Sequence, residues 1–207
     1  IRNYLDNTVK TPEDISNRNI NILAWIPHIE GMESGNKDFE FIVAKKPDAS
    51  ASEAFRALRT RIKFSKLDKE TLKTILVTSP TSQEGKTITA INLAGSFALA
   101  NFKTIILDAD LRKPRIHTVF NQKRFPGFTD YFFGQATFDE VVRKSEINNL
   151  DYVTAGTIPP NPSEILGSTQ MEAFLEKLKT KYDYIIIDSP PIIAVTDSEI
   201  LSSLVDG

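Results

Sequence analysis

The sequence contains no cysteine, and this absence excludes two kinds of protein. A chain without thiols can form neither a disulfide framework nor a metal site with thiolate ligands. The absence suits a reducing compartment, although it does not define one.

Long apolar runs are missing as well. No stretch approaches the roughly 18 apolar residues that a membrane helix needs, and no signal peptide is present. The sequence begins at Ile1 rather than Met, so we expect that a longer parent protein can carry segments upstream.

An excess of basic residues is also absent. The formal net charge is −2, which gives no indication of a nucleic-acid partner or of an anionic membrane surface. With 41% hydrophobic and 25% charged residues, the composition is that of a soluble globular protein. A chain of 207 residues can bury one substantial core, so we expect one α/β domain with an attached arm.

The arm is assigned to residues 1–50 and the main domain to residues 51–207. Within the arm, Thr11-Pro12 is a good helix start, because Thr is a capping residue and Pro suits the first helical position. Ile20–Ile26 is predicted as a short strand, which Pro27 ends. The main domain is predicted to begin with a helix from Ser52 to about Phe64.

The most informative stretch is Ile75–Thr89, where an apolar run is followed by a turn and then by Gly85-Lys86-Thr87. In a strand–loop–helix setting, this triplet indicates a phosphate-binding loop. The backbone N–H groups would point into one concavity, and the dipole of the following helix would add to the same site. Lys86 would reach the β- and γ-phosphates and Thr87 would bind Mg²⁺. The expected nucleotide-binding residues are Thr81, Ser82, Gln83, Glu84, Gly85, Lys86, Thr87 and Ile88.

Two residues of this loop depart from the usual pattern. Pro80 occupies the place of the first glycine, and proline has a fixed φ and no N–H to donate. Glu84 places a carboxylate beside a phosphate site, so we expect its side chain to point outward.

Acidic residues follow two other apolar strands. Thr104–Leu107 leads into Asp108 and Asp110, and Tyr184–Ile187 leads into Asp188. Apolar strands that alternate with helices indicate a mainly parallel sheet covered on both faces, here a P-loop NTPase fold, and ligands bind such sheets at the carboxyl ends of the strands.

These acids can have different roles in the site. Mg²⁺ prefers oxygen ligands, which Thr87 together with Asp188 or Asp108 would supply. Asp110 is then free to take the proton of an attacking hydroxyl. Arg112 could orient the acids, meet phosphate charge or form a surface ion pair, and the sequence leaves this choice open.

Several motifs together resemble those of the bacterial protein-tyrosine kinases. Asp108–Arg112 (D-A-D-L-R) resembles the Walker A′ motif of that family, and Asp188–Pro191 (D-S-P-P) resembles its Walker B motif. Pro159–Glu164 and Ala194–Asp197 look like further family signatures, and Glu53, Arg56 and Arg59 resemble its ring-forming motif. The similarity covers about residues 48–207, while residues 4–14 resemble the stretch after the second membrane helix of exopolysaccharide chain-length regulators.

The resemblance implies an ATP- and Mg²⁺-dependent kinase domain on the cytoplasmic face of the bacterial inner membrane, attached to or partnered with a polysaccharide co-polymerase. Such domains form a ring, an octamer by resemblance, in which each subunit phosphorylates a C-terminal tyrosine cluster of its neighbour. This autophosphorylation regulates exopolysaccharide or capsule synthesis and export. The resemblance also implies a role for each matching residue. Lys86 and Thr87 would bind nucleotide phosphate and Mg²⁺, Asp108 and Asp188 would bind the metal, and Asp110 would be the base. Glu53, Arg56 and Arg59 would form the subunit contact. No nucleic-acid partner is expected.

Other functions share parts of this pattern. A partition- or septum-positioning-type ATPase would carry an extra lysine where this sequence has Thr81. A eukaryotic-type kinase is excluded, because G-x-G-x-x-G, H-R-D and D-F-G are all missing. A non-catalytic assembly module, in which nucleotide sets the state of the ring, stays open.

The acceptor tyrosine cannot be named from this sequence, which ends at Gly207 before the strand and tyrosine tail that the resemblance implies. The tyrosines present are scattered, and we expect Tyr182 and Tyr184 to pack against the core. The tyrosines are Tyr4, Tyr131, Tyr152, Tyr182 and Tyr184.

Overall fold

The computed structural model describes residues 15, 20–29, 31, 37–65 and 72–207. Its centre is a five-stranded sheet with the strand order β1-β5-β2-β4-β3. The strands are β1 (Thr74–Val77), β2 (Thr104–Asp108), β3 (Val142–Lys144), β4 (Leu150–Val153) and β5 (Tyr184–Asp188). The pairs β1–β5, β5–β2 and β2–β4 are parallel, and β3 runs antiparallel to β4 at the sheet edge. The prediction of a mainly parallel sheet is confirmed.

Helices connect these strands and cover the sheet. They are α1 (Ile42–Lys45), α2 (Ser50–Lys63), α3 (Lys86–Ala98), α4 (Ile116–Val119), α5 (Phe128–Phe132), α6 (Phe138–Val141), α7 (Pro162–Leu166), α8 (Thr169–Lys179) and α9 (Asp197–Ser202), with a 3-10 turn at Lys37–Phe39. The predicted helix at Ser52–Phe64 is confirmed as α2. No helix among the described residues is long and apolar enough to cross a membrane.

The two central strands are buried at every residue, which explains why their sequences are continuously apolar. Successive side chains point to opposite faces of the sheet. Ile106 and Ile186 join the core on the side of α2 and α3, whereas Ile105 and Ile187 join the core that contains α8.

The register of these strands positions the acids. Asp108 and Asp188 are the last residues of β2 and β5, and they are direct partners in the parallel pairing. Their carboxyl groups therefore leave the sheet at the same edge, beside the loop that follows β1.

The arm differs from its prediction in one element. The predicted strand Ile20–Ile26 is not formed: exposure still alternates from Asn21 to Ile26, but these residues pair with no strand among the residues that the structure describes. Further along, Ile42 and Val43 of α1 are buried, and the Val43 N–H donates to Asn92 of α3 at 3.1 Å. This part of the arm thus packs on the main domain. The predicted helix start at Thr11 lies outside the described residues.

The aromatic residues between β2 and β4 follow their prediction only in part. We expect five phenylalanines there to form local core (Phe120, Phe128, Phe132, Phe133 and Phe138). Phe128 and Phe138 are buried, and Phe120 and Phe132 are partly buried against the core. Phe133, which follows the last residue of α5, is 49% exposed and does not join the core, so the prediction is wrong for this residue.

Candidate active site

The loop between β1 and α3 has the backbone that its glycine predicts. Gly85 precedes α3 with φ of 81°, a left-handed conformation that favours glycine. No side chain caps this end of α3. The first N–H groups of the helix are therefore directed to whatever occupies the site, and an anion is their natural partner.

Glu84 turns away from this site, as expected. Its carboxylate is exposed and accepts hydrogen bonds from the Thr81 N–H at 3.0 Å and the Thr81 hydroxyl at 2.9 Å. These hydrogen bonds lower the pKa of Glu84. Thr81 and Glu84 therefore close the start of the loop and do not line the cavity described next.

A cavity of about 360 Å³ opens at the carboxyl edge of the sheet. That volume is in the range of small-molecule sites. Eight of the predicted site residues line it: Ser82, Gln83, Gly85, Lys86, Thr87, Ile88, Asp110 and Arg112. Asp108 and Asp188 are fully buried and do not line it.

The sequence alone does not place several residues of the cavity wall in the site, although four of them belong to the motifs Asp188–Pro191 and Ala194–Asp197. Two are basic, Lys113 and Arg115, and the others come from the loop after β5, namely Pro190, Pro191, Ala194 and Val195. The run Arg112-Lys113-Pro114-Arg115 directly after the acids was the available signal for the basic pair.

Lys86 and Asp110 form the central ion pair of the site. Lys86 Nζ lies 3.2 Å from Asp110 Oδ2, with side-chain exposures of 12% and 4%. The other oxygen, Oδ1, accepts the backbone N–H groups of Arg112 at 3.2 Å and Lys113 at 2.9 Å. The Asp110 carboxylate is therefore held by the backbone on one side and faces the loop lysine on the other.

Asp108 and Asp188 lie beneath the cavity with unsatisfied oxygens. Asp108 Oδ2 accepts the N–H of Ile116 at 3.0 Å, but Asp108 Oδ1 has no hydrogen-bond partner, and no well-formed hydrogen bond reaches either oxygen of Asp188, near which the Thr87 hydroxyl lies. Burial, and then the charge of Asp188, raises the pKa of Asp108 well above its usual range. Burial also raises the pKa of Asp188 to about 7, against the opposing effects of Thr87 and Lys86. Buried carboxylate oxygens without donors are costly unless a cation satisfies them.

The donor set fits Mg²⁺. Three unpaired carboxylate oxygens and the nearby Thr87 hydroxyl are hard oxygen ligands of the kind that Mg²⁺ prefers. Within the described part of the chain, no three His, Cys, Asp or Glu side chains are grouped so that they could hold a metal ion. A cation here would thus complete its shell with phosphate and water oxygens, as Mg²⁺ commonly does.

Arg112 forms an ion pair with Asp197, an acid to which the sequence alone assigns no role. Its Nε and Nη2 donate to the two oxygens of Asp197 at 2.9 and 3.1 Å. The Ser163 hydroxyl donates to Asp197 Oδ1 at 2.6 Å. Burial raises the pKa of Asp197, but these hydrogen bonds outweigh it and hold that pKa below its usual range.

The three residues of the expected subunit contact lie together on α2, on the outside of the domain. Arg56 pairs with Glu53 at 2.7 Å, and Arg59 Nη1 donates to the Ser96 carbonyl at 2.5 Å. Partial burial lowers the pKa of Arg59. Arg56 and Arg59 also border a second cavity of about 350 Å³.

None of the described tyrosines is fully exposed. Tyr152 and Tyr184 are buried, and Tyr131 and Tyr182 are partly buried. As expected, Tyr182 and Tyr184 pack against the core. Tyr4 lies outside the described residues.

A parallel sheet whose carboxyl edge holds a Gly-Lys-Thr loop defines a P-loop nucleotide-binding protein. Residues 72–204 match the profile of a family described as AAA domain. The tyrosine-protein kinase YwqD of Bacillus subtilis (strain 168) is 39% identical over 166 residues, which cover 80% of this chain and 70% of that protein. The tyrosine-protein kinase etk of Escherichia coli (strain K12) is 31% identical over 216 residues, 97% of this chain but only 30% of the longer protein.

Solved structures agree with these relatives. The kinase domain of the Escherichia coli tyrosine kinase ETK superposes with a TM-score of 0.88 at 32% identity, over 96% of this chain and 80% of that one. The chimerical protein CapA2B2 gives a TM-score of 0.86 at 33% identity, over 94% and 82% of the two chains. The chain therefore belongs to the bacterial protein-tyrosine kinases, enzymes of the P-loop type. The septum site-determining protein MinD of Pyrococcus horikoshii shares the fold alone, with a TM-score of 0.54 at 19% identity over 65% of this chain and 55% of that one.

Proposed function

We propose that this kinase domain transfers the γ-phosphate of ATP to tyrosines of a neighbouring subunit, with Asp110 as the base. The observation that carries the proposal is the 3.2 Å pair of Lys86 Nζ and Asp110 Oδ2 at the wall of the cavity. A phosphate-binding cation and a carboxylate that can accept a proton thus lie side by side, where a terminal phosphate and an attacking hydroxyl would meet.

The nucleotide would be held by the loop. The N–H groups at the start of α3 would donate to phosphate oxygens, and Lys86 would contact the β- and γ-phosphates. Ser82, Gln83, Gly85 and Ile88 line the same wall and would contact the nucleotide.

Thr87, Asp108 and Asp188 would hold Mg²⁺. The unsatisfied carboxylate oxygens of Asp108 and Asp188 support this role, because a buried carboxylate gains most from a cation when no donor satisfies it. When bound, Mg²⁺ neutralises charge on the β- and γ-phosphates.

Asp110 would orient the tyrosine hydroxyl and accept its proton. When Lys86 contacts phosphate instead of Asp110, Oδ2 becomes free to face the hydroxyl. Oδ1 would remain fixed by the N–H groups of Arg112 and Lys113, so the carboxylate would keep its direction.

Assembly and cellular context form the second part of the proposal. Glu53, Arg56 and Arg59 would contact the next subunit of a ring, in which each subunit phosphorylates its neighbour. The domain would act with an inner-membrane polysaccharide co-polymerase at the cytoplasmic face and regulate exopolysaccharide or capsule production. This is supported by the motif resemblance and by a relative in Klebsiella pneumoniae that is named for its place in a cps region.

The test is to incubate a chain extended beyond Gly207 with ATP and Mg²⁺ alone and to measure phosphotyrosine by mass spectrometry. We expect phosphotyrosine to accumulate, and omission of Mg²⁺ to abolish it. Release of inorganic phosphate without phosphotyrosine would support the ATPase alternative. Nucleotide binding without either product would support the assembly module.

A further inference from the structure

Two sequence signatures to which the proposed chemistry assigns no catalytic or metal-binding residue meet at one buried carboxylate. Asp197, from Ala194–Asp197, is the first residue of α9 and has no exposed surface. Ser163, from Pro159–Glu164, lies in the first turn of α7 and donates to Asp197 Oδ1 at 2.6 Å. Neither residue lines the cavity.

The third partner of this carboxylate comes from the active site. Arg112 borders the cavity and donates to both oxygens of Asp197, through Nε at 2.9 Å and Nη2 at 3.1 Å. A guanidinium bound through two parallel hydrogen bonds is fixed in direction as well as in place. A buried carboxylate is costly unless its oxygens are paired, and here three donors satisfy it.

The backbone of Arg112 contacts the proposed base, Asp110. Its backbone N–H, together with that of Lys113, donates to Asp110 Oδ1. One residue therefore holds Asp197 with its side chain and Asp110 with its backbone. A rotation of the turn at residues 110–113 would redirect the Asp110 carboxylate.

We propose that Asp197, held by Ser163, is a positioning residue for phosphoryl transfer: it fixes Arg112, and through it the turn that aims the Asp110 carboxylate. The inference rests on the proposed role of Asp110 as the base. It accounts for both signatures by a single contact, although they come from segments far apart in the sequence.

A merely structural clamp between α7 and α9 would behave differently. Its loss would lower stability but leave the transfer rate of the folded protein unchanged. A positioning residue would lower the transfer rate at saturating ATP while the affinity for ATP stayed the same, because the loop and Lys86 are not displaced.

The principal variant is Asp197→Asn, which keeps the shape of the side chain and removes its charge. We expect the single-turnover transfer rate at saturating ATP·Mg²⁺ to fall by about 10- to 100-fold, by analogy with the loss seen when a residue that orients a metal ligand is replaced. ATP affinity, measured by titration, should not change. Glu199→Gln is the matched control, since Glu199 is an exposed acid on the same helix. A wild-type transfer rate in Asp197→Asn would overturn the inference.

Arg112→Lys tests the path from Asp197 to the base. Lysine keeps the positive charge at the cavity but cannot form the two parallel hydrogen bonds. We expect a loss of rate similar to that of Asp197→Asn, and no further loss when the two substitutions are combined. If the two losses multiply instead, Asp197 does not act through Arg112 and the inference is wrong.

Two further variants keep the test decisive. If Asp197→Asn shows no cooperative unfolding transition, and is therefore not folded, Arg112→Lys and Ser163→Ala replace it in the test. Wild-type transfer rates in both of these variants would overturn the inference. Asp110→Asn is measured in parallel. Normal transfer in Asp110→Asn would contradict the proposed base, whereas loss there with normal transfer in Asp197→Asn would contradict only the positioning role.

Discussion

Lys86 Nζ and Asp110 Oδ2 are 3.2 Å apart, although the two residues follow different strands of the sheet. Their strands, β1 and β2, are not neighbours, since β5 lies between them. Because all three strands are parallel, their carboxyl ends meet at one edge, and the loops that follow them converge. The site is thus a consequence of the strand order.

Lys86→Met is expected to weaken ATP binding and to abolish autophosphorylation. Hydrogen bonds to charged groups contribute about 1.5–3 kcal/mol, so the affinity for ATP should fall by about 10- to 100-fold. Titration of ATP·Mg²⁺ against the variant measures this change. Lys103→Met is the control, since Lys103 precedes β2 at the opposite edge of the sheet. An unchanged affinity in Lys86→Met would contradict the phosphate-loop assignment.

Asp188 is expected to make stability depend on pH. Burial raises its pKa to about 7 in the folded protein, whereas an unfolded aspartate has a pKa of about 3.9. Between these values the folded state binds the extra proton, so the free energy of unfolding should fall as pH rises towards 7 and then level off.

Asp188→Asn should reduce this pH dependence, and the part that remains comes from Asp108, whose pKa is also raised, mainly by burial. Measured by chemical denaturation in the presence of a metal chelator, the variant should be more stable than the wild type above pH 7 by a few kcal/mol at most, because asparagine removes the buried charge. Asp139→Asn, at a side chain that is 92% exposed, should leave the pH profile unchanged. A variant that is less stable than the wild type above pH 7 would show that the charge is compensated in the folded protein.

Replacement of Glu53, Arg56 and Arg59 by alanine is expected to yield monomers. The exposed Glu53–Arg56 ion pair contributes only about 0–1 kcal/mol to folding, and the partly buried Arg59 adds one hydrogen bond to the Ser96 carbonyl, so the variant is expected to stay folded. Light scattering measures the oligomeric state, and the double variant Arg61→Ala/Lys63→Ala on the same helix is the control. Survival of the oligomer in the triple variant would exclude this surface as the subunit contact.

Tyr182→Phe is expected to destabilise the fold without affecting phosphorylation. The Tyr182 hydroxyl donates to Asp151 Oδ2 at 2.6 Å, and Lys144 pairs with the same oxygen at 2.7 Å. Loss of a hydrogen bond to a charged group should cost about 1.5–3 kcal/mol. Chemical denaturation measures the loss, and mass spectrometry follows phosphotyrosine. A fall in phosphotyrosine in the folded variant would instead make Tyr182 an acceptor.

The sequence predicts the sheet well because its central strands are buried on both faces. A strand such as β5 must be apolar at almost every residue, and a run of that kind is visible without a structure. Short edge elements carry no such signal: β3 is three residues long and ends in Arg143-Lys144. Asn21–Ile26 alternates in exposure as a strand does but pairs with no strand in the described part of the chain, and a local pattern does not show pairing partners.

The residues of the candidate site also differ in whether the sequence predicts them. Lys86 and Asp110 were predictable, because a loop after a strand places its residues at a known edge of the sheet. Asp197 was not, since an acid at a helix start is usually a response to the helix dipole. Its contacts with Ser163 and Arg112 depend on how α7 and α9 pack, which no single segment encodes.

Asp110→Asn tests the central claim most directly. With ATP·Mg²⁺ and a chain extended beyond Gly207, the account predicts that nucleotide affinity is retained while the rate of phosphotyrosine formation is lost. Accumulation of phosphotyrosine at the wild-type rate would show that Asp110 is not the base and would contradict the account.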